Sequence, residues 1–205
     1  MVTTVTGLAC KTFHASEHSR SLACGRAIDI VPPMFQQTRM TALVSGRIPA
    51  TDERRARAVA RGICRLFARN DVWCLAEMPL RNGRRADLMG IDASGQVVIV
   101  EIKTARGDLL GDAKWPDYLE FCDRFYWGMP PELDRTCLEG PEFRPECCGV
   151  IMADEYDAEI VRPAPSRPLA AARRKVEVER LARAALRRQL IALDPDCAAW
   201  GRERR

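Results

Sequence analysis

Three charged side chains stand inside two otherwise apolar stretches near the middle of the chain. Asp87 interrupts the stretch 84–92, and Glu101 and Lys103 interrupt the stretch 96–104. Burying a charge is costly unless the charge is paired or bound to a metal ion. Two carboxylates and one ammonium group in segments this apolar therefore indicate a site that does chemistry.

The short loop 93–95 predicts how these side chains meet. Its composition suits a three-residue hairpin turn with Gly95 in the left-handed conformation. In that register Asp87 lies opposite Glu101, with Cβ atoms about 5 Å apart. Strand alternation places Glu101 and Lys103 on one face and the intervening valine and isoleucine side chains on the other. The hairpin is therefore expected to gather all three charges into one patch.

Two carboxylates placed this close repel each other unless a cation lies between them. An all-oxygen pair suits Mg²⁺ (or Mn²⁺), which takes one or two protein carboxylates and completes its shell with water and phosphate oxygens. Lys103 can then orient a water molecule or neutralise charge that develops on phosphorus. The chain has two histidines, His14 and His18, and neither lies in a constellation that would supply a competing nucleophile.

An Asp followed by Glu-x-Lys on the next strand resembles the signature of the PD-(D/E)XK nuclease superfamily, here Ala86-Asp87 and Glu101-Ile102-Lys103. The alanine stands where the signature has proline, at a position that varies. From about residue 52 to 193 the chain also resembles the MmcB-like DNA repair proteins of bacteria. That resemblance is carried by the segments RAVARGICRLFA, EMPLRNGRRADLMGID, VVIVEIKTARGDLLGDAKWPDYLEFCDRFYWGMP and PLAAARRKVEVERLARAALRR.

The resemblance implies a restriction-endonuclease-like α/β fold and a role in DNA repair. Its core would be αβββαβ, a mixed central sheet flanked by helices, with a long basic helix at the C-terminal end. A further acidic residue often joins the site in this superfamily, and Glu77 is the candidate. The alternative for Glu77 is a salt bridge to Arg84 or Arg85.

The periodicity of the chain supports that order of elements independently. Residues 52–70 follow helical spacing, 72–80 read as a first strand, and the charged hairpin follows. A loop over 106–114 precedes a short helix near Pro116, since proline suits a first helical position. Strands are expected over 124–129, 149–153 and 158–161, and a long amphipathic basic helix over 169–193. Its predicted apolar side comprises Leu169, Ala172, Val176, Leu181, Ala185, Leu186 and Leu190.

The domain organisation follows from these elements. Residues 1–50 show no firm period and are predicted to be a poorly structured extension. Residues 51–193 are predicted to form the nuclease-like domain, and residues 194–205 a flexible tail.

Charge is distributed unevenly along the chain. Residues 1–69 carry 11 basic and 4 acidic side chains, residues 70–166 carry 10 and 19, and residues 167–205 carry 11 and 5. Basic surfaces favour nucleic acid through phosphate contacts and counterion release. The weak candidates for DNA contact are Arg57, Arg61, Arg84, Arg85, Lys114, Arg173, Arg174 and Lys175. A solvated basic helix face is the alternative interpretation.

The nine cysteines form no Cys-x-x-Cys and no Cys/His spacing typical of zinc ligands. Because Cys64, Cys74 and Cys122 fall in apolar patterns typical of buried thiols, a reducing cytoplasm is the expected setting. No apolar run is long enough for a membrane span, and the N-terminal segment lacks a signal-peptide core. The leading hypothesis is a Mg²⁺-dependent DNA endonuclease that acts in repair on damaged, branched or single-stranded DNA. The alternatives are a catalytically silent DNA-binding or scaffold protein and an RNA nuclease. A homodimer and contacts with other repair proteins stay open.

Overall fold

A computed structural model of the chain describes residues 51–200. The predicted extension 1–50 and the last five residues lie outside the described residues. The helices are α1 (Thr51–Arg69), α2 (Arg106–Gly111), α3 (Ala171–Leu193) and α4 (Cys197–Trp200). The strands are β1 (Trp73–Pro79), β2 (Arg85–Ile91), β3 (Val97–Ile102), β4 (Arg124–Met129), β5 (Cys148–Ala153) and β6 (Ala158–Arg162). Short 3₁₀ turns span Trp115–Tyr118, Thr136–Glu139 and Pro141–Phe143.

All six strands form one mixed sheet in chain order. Strands β1, β2 and β3 are antiparallel neighbours, β3, β4 and β5 run parallel, and β6 returns antiparallel to β5. The αβββαβ order and the mixed sheet predicted from the sequence are therefore confirmed. Because β3 and β4 are parallel, the connection between them must cross from one end of the sheet to the other.

The two faces of the sheet bury different side chains of β3, as strand alternation requires. Val98, Val100 and Ile102 pack toward α1, which contributes Val59, Ile63 and Phe67. Val97 and Ile99 face the other way, into a cluster that includes Leu181 of α3 and an aromatic group. That group comprises Trp115, Phe125, Trp127 and Phe143, and the ring centroids of its contacting pairs lie 5.2–5.9 Å apart. Glu101 belongs to the α3 face of the sheet by the same alternation.

Glycine allows α1 to approach the sheet closely. A Cβ atom at Gly128 of β4 would lie 2.7 Å from the Ile63 side chain, and one at Gly62 of α1 would lie 2.2 Å from the Asp154 carbonyl oxygen. Contacts under 3.0 Å are essentially never seen for real Cβ atoms. The close packing of α1 against the sheet therefore requires glycine at positions 62 and 128.

The segment between β3 and β4 differs from the prediction. Helix α2 occupies part of the predicted loop 106–114, and the predicted helix at Pro116 is a single 3₁₀ turn. Leu109 of α2 is fully buried, whereas Leu110 is 53% exposed. One buried leucine between Gly107 and Gly111 gives no helical period, so the sequence pattern could not reveal this helix.

Helix α3 begins two residues later than predicted, and its predicted apolar side is buried only in part. Leu181 is buried, but Leu186 and Leu190 are 65% and 53% exposed. The helix reaches the edge strand β1 through Arg180 and Arg188, and most residues after Leu181 are exposed. The second half of α3 therefore does not pack on the sheet as its periodicity predicted.

Within residues 51–200 no helix is long and apolar enough to cross a membrane. The short helix α4 lies inside the segment that the sequence predicted to be a flexible tail. Flexibility of that segment stays a prediction.

Candidate active site

The hairpin between β2 and β3 adopts the predicted register. Gly95 has φ of 75°, its N–H donates to the Asp92 carbonyl oxygen at 2.9 Å, and Leu88 pairs with Val100. One step further along this register Asp87 faces Glu101. The Ile102 N–H donates to Asp87 Oδ2 at 2.7 Å, so the carboxylate of β2 is fixed against the end of β3. The predicted register of the hairpin is confirmed, and its extension by one residue sets Asp87 opposite Glu101.

Glu101 is a buried carboxylate that is only half satisfied. Its Oε1 accepts from Lys103 Nζ at 3.2 Å, while its Oε2 is buried and has no hydrogen-bond partner within the described part of the chain. Burial, followed by the negative charge of Asp87, raises the pKa of Glu101 to about 7. Burial likewise raises the pKa of Asp87. A group that supplied positive charge would favour the ionised form of both carboxylates.

Lys103 is buried beside these carboxylates and is held from two sides. Its Nζ lies 3.2 Å from Glu101 Oε1 and 2.7 Å from Asp112 Oδ2. Burial alone would lower the pKa of Lys103, but the hydrogen bond to Asp112 and the charge of Glu101 outweigh it, so the pKa is raised. An ammonium group has three N–H donors. Two are engaged here, which leaves one for a further ligand.

Asp112 is a site residue that the sequence interpretation missed. It follows α2, inside the segment predicted as a loop, and no motif marks it. Gly107, Asp108, Gly111 and Asp112 line an open hollow of about 260 Å³ beside Lys103. Added Cβ atoms at the two glycines would meet nothing within 4 Å, so this side of the site is open.

Tyr118 lies beside the carboxylates on the same side of the sheet. Its hydroxyl donates to the Arg85 carbonyl oxygen at 3.2 Å. Burial, followed by the charge of Glu101, raises the pKa of Tyr118. Trp115 and Tyr118 both belong to the buried cluster on this face of the sheet.

Glu77 lies opposite Asp87 but does not join the buried group. Its backbone has φ of 54° and interrupts the β1–β2 pairing between Ala76 and Met78. Its carboxylate is exposed and forms an ion pair of 2.6 Å with Arg85, one of the two partners that the sequence offered as an alternative. The charge of Glu77 still contributes to the raised pKa of Asp87. A role for Glu77 in the site stays a prediction.

The basic residues proposed for DNA contact fall into three groups. Arg57, Arg84, Arg85 and Arg174 are ion-paired with Glu53, Asp117, Glu77 and Asp123, respectively. Lys175 makes only a long exposed contact of 3.8 Å with Glu179, and Arg173 lies over the Phe121 ring and 4.0 Å from Glu177. Arg61 and Lys114 are exposed and form no ion pair within residues 51–200. DNA contact stays a prediction for all of them.

Arg174 has a structural role that its place in a basic run did not reveal. Its guanidinium pairs with the fully buried carboxylate of Asp123, which also accepts the Val97 and Leu169 N–H groups at 2.7 Å each. Burial works to raise the pKa of Asp123, but these hydrogen bonds hold the pKa below its usual value. The cluster joins the start of α3 to the start of β3.

Arg174→Ala is expected to lower the free energy of unfolding by about 2–3 kcal/mol, because it leaves a buried carboxylate without its counter-charge. The neighbouring Lys175→Ala is the matched control and is expected to change it by less than about 0.5 kcal/mol. Urea denaturation followed by tryptophan fluorescence measures both variants. Equal stabilities of the two variants would show that Arg174 is another surface cation.

The residues present fit a divalent cation. Asp87 and Glu101 offer hard oxygen ligands, and the unpartnered Oε2 of Glu101 is a buried acceptor that lacks a donor. No group of three or more His, Cys, Asp or Glu side chains suited to a metal ion occurs in the described range 51–200. A cation that needs only one or two protein carboxylates, such as Mg²⁺ or Mn²⁺, therefore matches the donor set better than one that needs a protein cage.

Comparison with known proteins places the chain in a family. Residues 39–196 match the family described as DNA repair protein MmcB-like. The chain belongs to this family. The chain is also similar to a solved structure, the SPO1766 protein of unknown function from Silicibacter pomeroyi, with 39% sequence identity over 69% of this chain and 92% of that chain and a TM-score of 0.60.

A second solved structure is more remote. A repair endonuclease from Pyrococcus abyssi has 18% identity over 46% of each chain and a TM-score of 0.31, which is too low to bear on function. None of the curated proteins matches the chain. Membership of the MmcB-like family thus rests on the match over residues 39–196, and the chemistry has to be argued from the site itself.

Proposed function

We propose that the protein is a Mg²⁺- or Mn²⁺-dependent nuclease that hydrolyses phosphodiester bonds of DNA during repair. The observation that carries this proposal is the convergence of Asp87, Glu101 and Lys103 at one end of the β2–β3 hairpin, with Glu101 Oε2 buried and unpartnered among the described residues. Membership of a DNA repair family supplies the substrate class.

The acidic and basic side chains of the site would have different roles. Asp87 and Glu101 would hold the cation, with Ile102 N–H fixing the orientation of the Asp87 carboxylate. When bound, such a cation lowers the pKa of water and offsets negative charge on the phosphate. The Lys103 ammonium keeps one donor for the attacking water or for a phosphate oxygen. Its ion pairs with Glu101 and Asp112 keep it protonated, so it acts as a donor and not as a general base.

Exposed cations around the site support a polyanionic substrate. Lys114 follows Asp112 closely and is exposed, Arg85 begins the strand that carries Asp87, and Arg84 directly precedes that strand. Their present partners, Asp117 and Glu77, are surface carboxylates, and exposed ion pairs of this kind are weak enough for phosphate to replace them. We propose that these residues hold the DNA backbone while Arg174 maintains the fold.

The proposal is tested with purified protein on labelled single-stranded, duplex and branched DNA, with Mg²⁺, with Mn²⁺ and with EDTA. Wild type should cut at least one DNA form only when the cation is present, and Lys103→Ala should lose at least about 10²-fold in rate. Lys114→Ala is a matched surface control that should weaken binding and leave the rate at saturation unchanged. Equal cutting by wild type and Lys103→Ala would identify a contaminant or a misplaced site.

Asp112 is proposed to position Lys103 for that reaction. Asp112→Asn removes the charge but keeps an acceptor oxygen, so kcat should fall about tenfold while KM for DNA stays within about twofold. Asp108→Asn is the matched control, since Asp108 lines the same hollow without contacting Lys103. A change in KM alone would assign Asp112 to substrate binding, and no change would remove it from the site.

A catalytically silent DNA-binding or scaffold protein is the second candidate. The observation in its favour is that Lys103 already neutralises Glu101, and that the described residues offer only two facing carboxylates. Retained DNA affinity in Asp87→Ala and Lys103→Ala, with no cleavage of any substrate by wild type, would select this function.

RNA cleavage, a cytoplasmic location, a homodimer and contacts with other repair proteins stay predictions. An RNA strand of the same length and sequence as the single-stranded DNA separates the first of these in the same assay.

A further inference from the structure

Two cysteine side chains meet on the opposite side of the sheet from the candidate active site. Cys64 of α1 and Cys74 of β1 bring their Sγ atoms to 3.5 Å, and both side chains are half-buried. They pack with the α1 cluster of Val59, Ile63 and Phe67, whereas Glu101 belongs to the α3 face. The proposed nuclease chemistry makes no use of this pair.

The contact between Cys64 and Cys74 follows from the way α1 packs against the edge strand β1. Gly90 of β2 pairs with Cys74, and a Cβ atom at Gly90 would lie 2.8 Å from the Cys74 Cβ. The missing side chain leaves room for Cys74 on this face. Among the seven described cysteines, only Cys64 and Cys74 are in contact through their thiols. The Cys122 thiol, by contrast, donates a hydrogen bond to the Tyr118 carbonyl oxygen.

We propose that Cys64 and Cys74 are a site of reversible thiol oxidation, which forms a disulfide when the protein meets a hydroperoxide. The Cys64 thiolate attacks the peroxide oxygen, so that the O–O bond breaks and an alcohol, or water from hydrogen peroxide, leaves. The Cys74 thiolate then attacks the sulfenic sulfur of Cys64, the S–S bond forms and water leaves. Two thiols are oxidised by two electrons, and one peroxide is reduced.

The electrostatics of the pair support this order of attack. The hydrogen bond with Cys74 lowers the pKa of the Cys64 thiol, whereas the same contact and burial raise the pKa of Cys74. One proton is thus shared, with Cys64 as the better thiolate. Because thiolate character and access determine which cysteine reacts first, Cys64 is assigned as the attacking residue.

The expected consequence is a covalent tie between α1 and the edge strand. Closing a loop of this length restricts the unfolded chain and should raise the melting temperature by about 5 °C. Because Asp87, Glu101 and Lys103 lie on the other face, cation binding should stay unchanged. The proposed oxidation of these cysteines can therefore be tested independently of the proposed nuclease activity.

Trypsin separates the two cysteines cleanly, since Cys64 lies in the peptide 62–65 and Cys74 in the peptide 70–81. Folded full-length protein is treated with hydrogen peroxide at low molar excess, alkylated and digested without reductant. Mass spectrometry should find the two peptides joined with the loss of two hydrogen atoms, and dithiothreitol should separate them. Peptides that stay separate, or that join to other cysteines instead, would overturn the proposal.

Serine variants test the order of attack. With Cys74→Ser, dimedone should label peptide 62–65 after peroxide treatment, because the sulfenic acid has no second thiol to meet. Cys122→Ser is the matched control and should retain the 62–65 to 70–81 link. Dimedone labelling of Cys74 in Cys64→Ser at a rate equal to that of Cys64 in Cys74→Ser would overturn the assignment of Cys64 as the attacking thiolate.

Discussion

Asp87→Asn is expected to abolish DNA cleavage, with a rate at least about 10³-fold below that of wild type. Asparagine has the same shape and keeps an oxygen that can accept the Ile102 N–H, so the hairpin should stay folded. What it loses is the negative charge that a divalent cation needs opposite Glu101. Single-turnover cleavage of labelled DNA measures the rate, and fluorescence anisotropy measures binding, which should stay within about threefold of wild type.

A matched control for this prediction is Glu120→Gln, an acidic-to-amide change at an exposed position outside the site. Its cleavage rate should equal that of wild type. If Asp87→Asn cut DNA as fast as Glu120→Gln, Asp87 would have no part in the chemistry. If it lost binding and cleavage together, the residue would belong to the substrate surface instead.

Glu101→Gln is expected to make the cation-free protein more stable at pH 8, by roughly 1–3 kcal/mol. The pKa of Glu101 is raised to about 7 from its ordinary value of 4.5, chiefly by burial. Between those values the folded state binds more protons than the unfolded state, so stability falls as pH rises through this window. Because glutamine carries no charge, the stability of the Glu101→Gln variant should not fall in this pH window.

Urea denaturation in EDTA at pH 5 and pH 8 measures this effect for wild type, Glu101→Gln and the exposed control Glu120→Gln. Wild type and the control should lose stability between the two pH values, and Glu101→Gln should lose less. Added Mg²⁺ should stabilise wild type at pH 8 and leave Glu101→Gln nearly unchanged, because binding to the folded state alone shifts the unfolding equilibrium. A variant less stable than wild type at pH 8 would show that the Lys103 ion pair outweighs the burial of the Glu101 charge.

The hairpin could be predicted from the sequence because its determinants are local. The turn chemistry of Asp92 and Gly95 and the alternation of side chains on β3 fix which residues face each other. The opposition of Asp87 and Glu101 follows from these few residues alone. Helix α1 was predictable for a similar reason, since its buried positions repeat with helical spacing.

Contacts between distant parts of the chain could not be predicted in this way. Asp112 meets Lys103 only because α2 turns back over the end of β3, and Arg174 meets Asp123 across 51 positions. The sequence of a basic segment does not show whether its arginines face solvent or a buried carboxylate. Leu186 and Leu190 of α3 show the converse, since both follow the helical period and yet both side chains are exposed.

The most direct test of the account is a titration of the protein with Mn²⁺, followed by electron paramagnetic resonance of the free ion. Wild type at pH 8 should bind one Mn²⁺ per chain, Mg²⁺ should displace it, and Asp87→Asn should bind at least about tenfold more weakly, a difference of about 1.4 kcal/mol. Glu120→Gln should bind as wild type does. Binding to Asp87→Asn with wild-type affinity, or no binding by wild type at millimolar Mn²⁺, would contradict a cation site at Asp87 and Glu101.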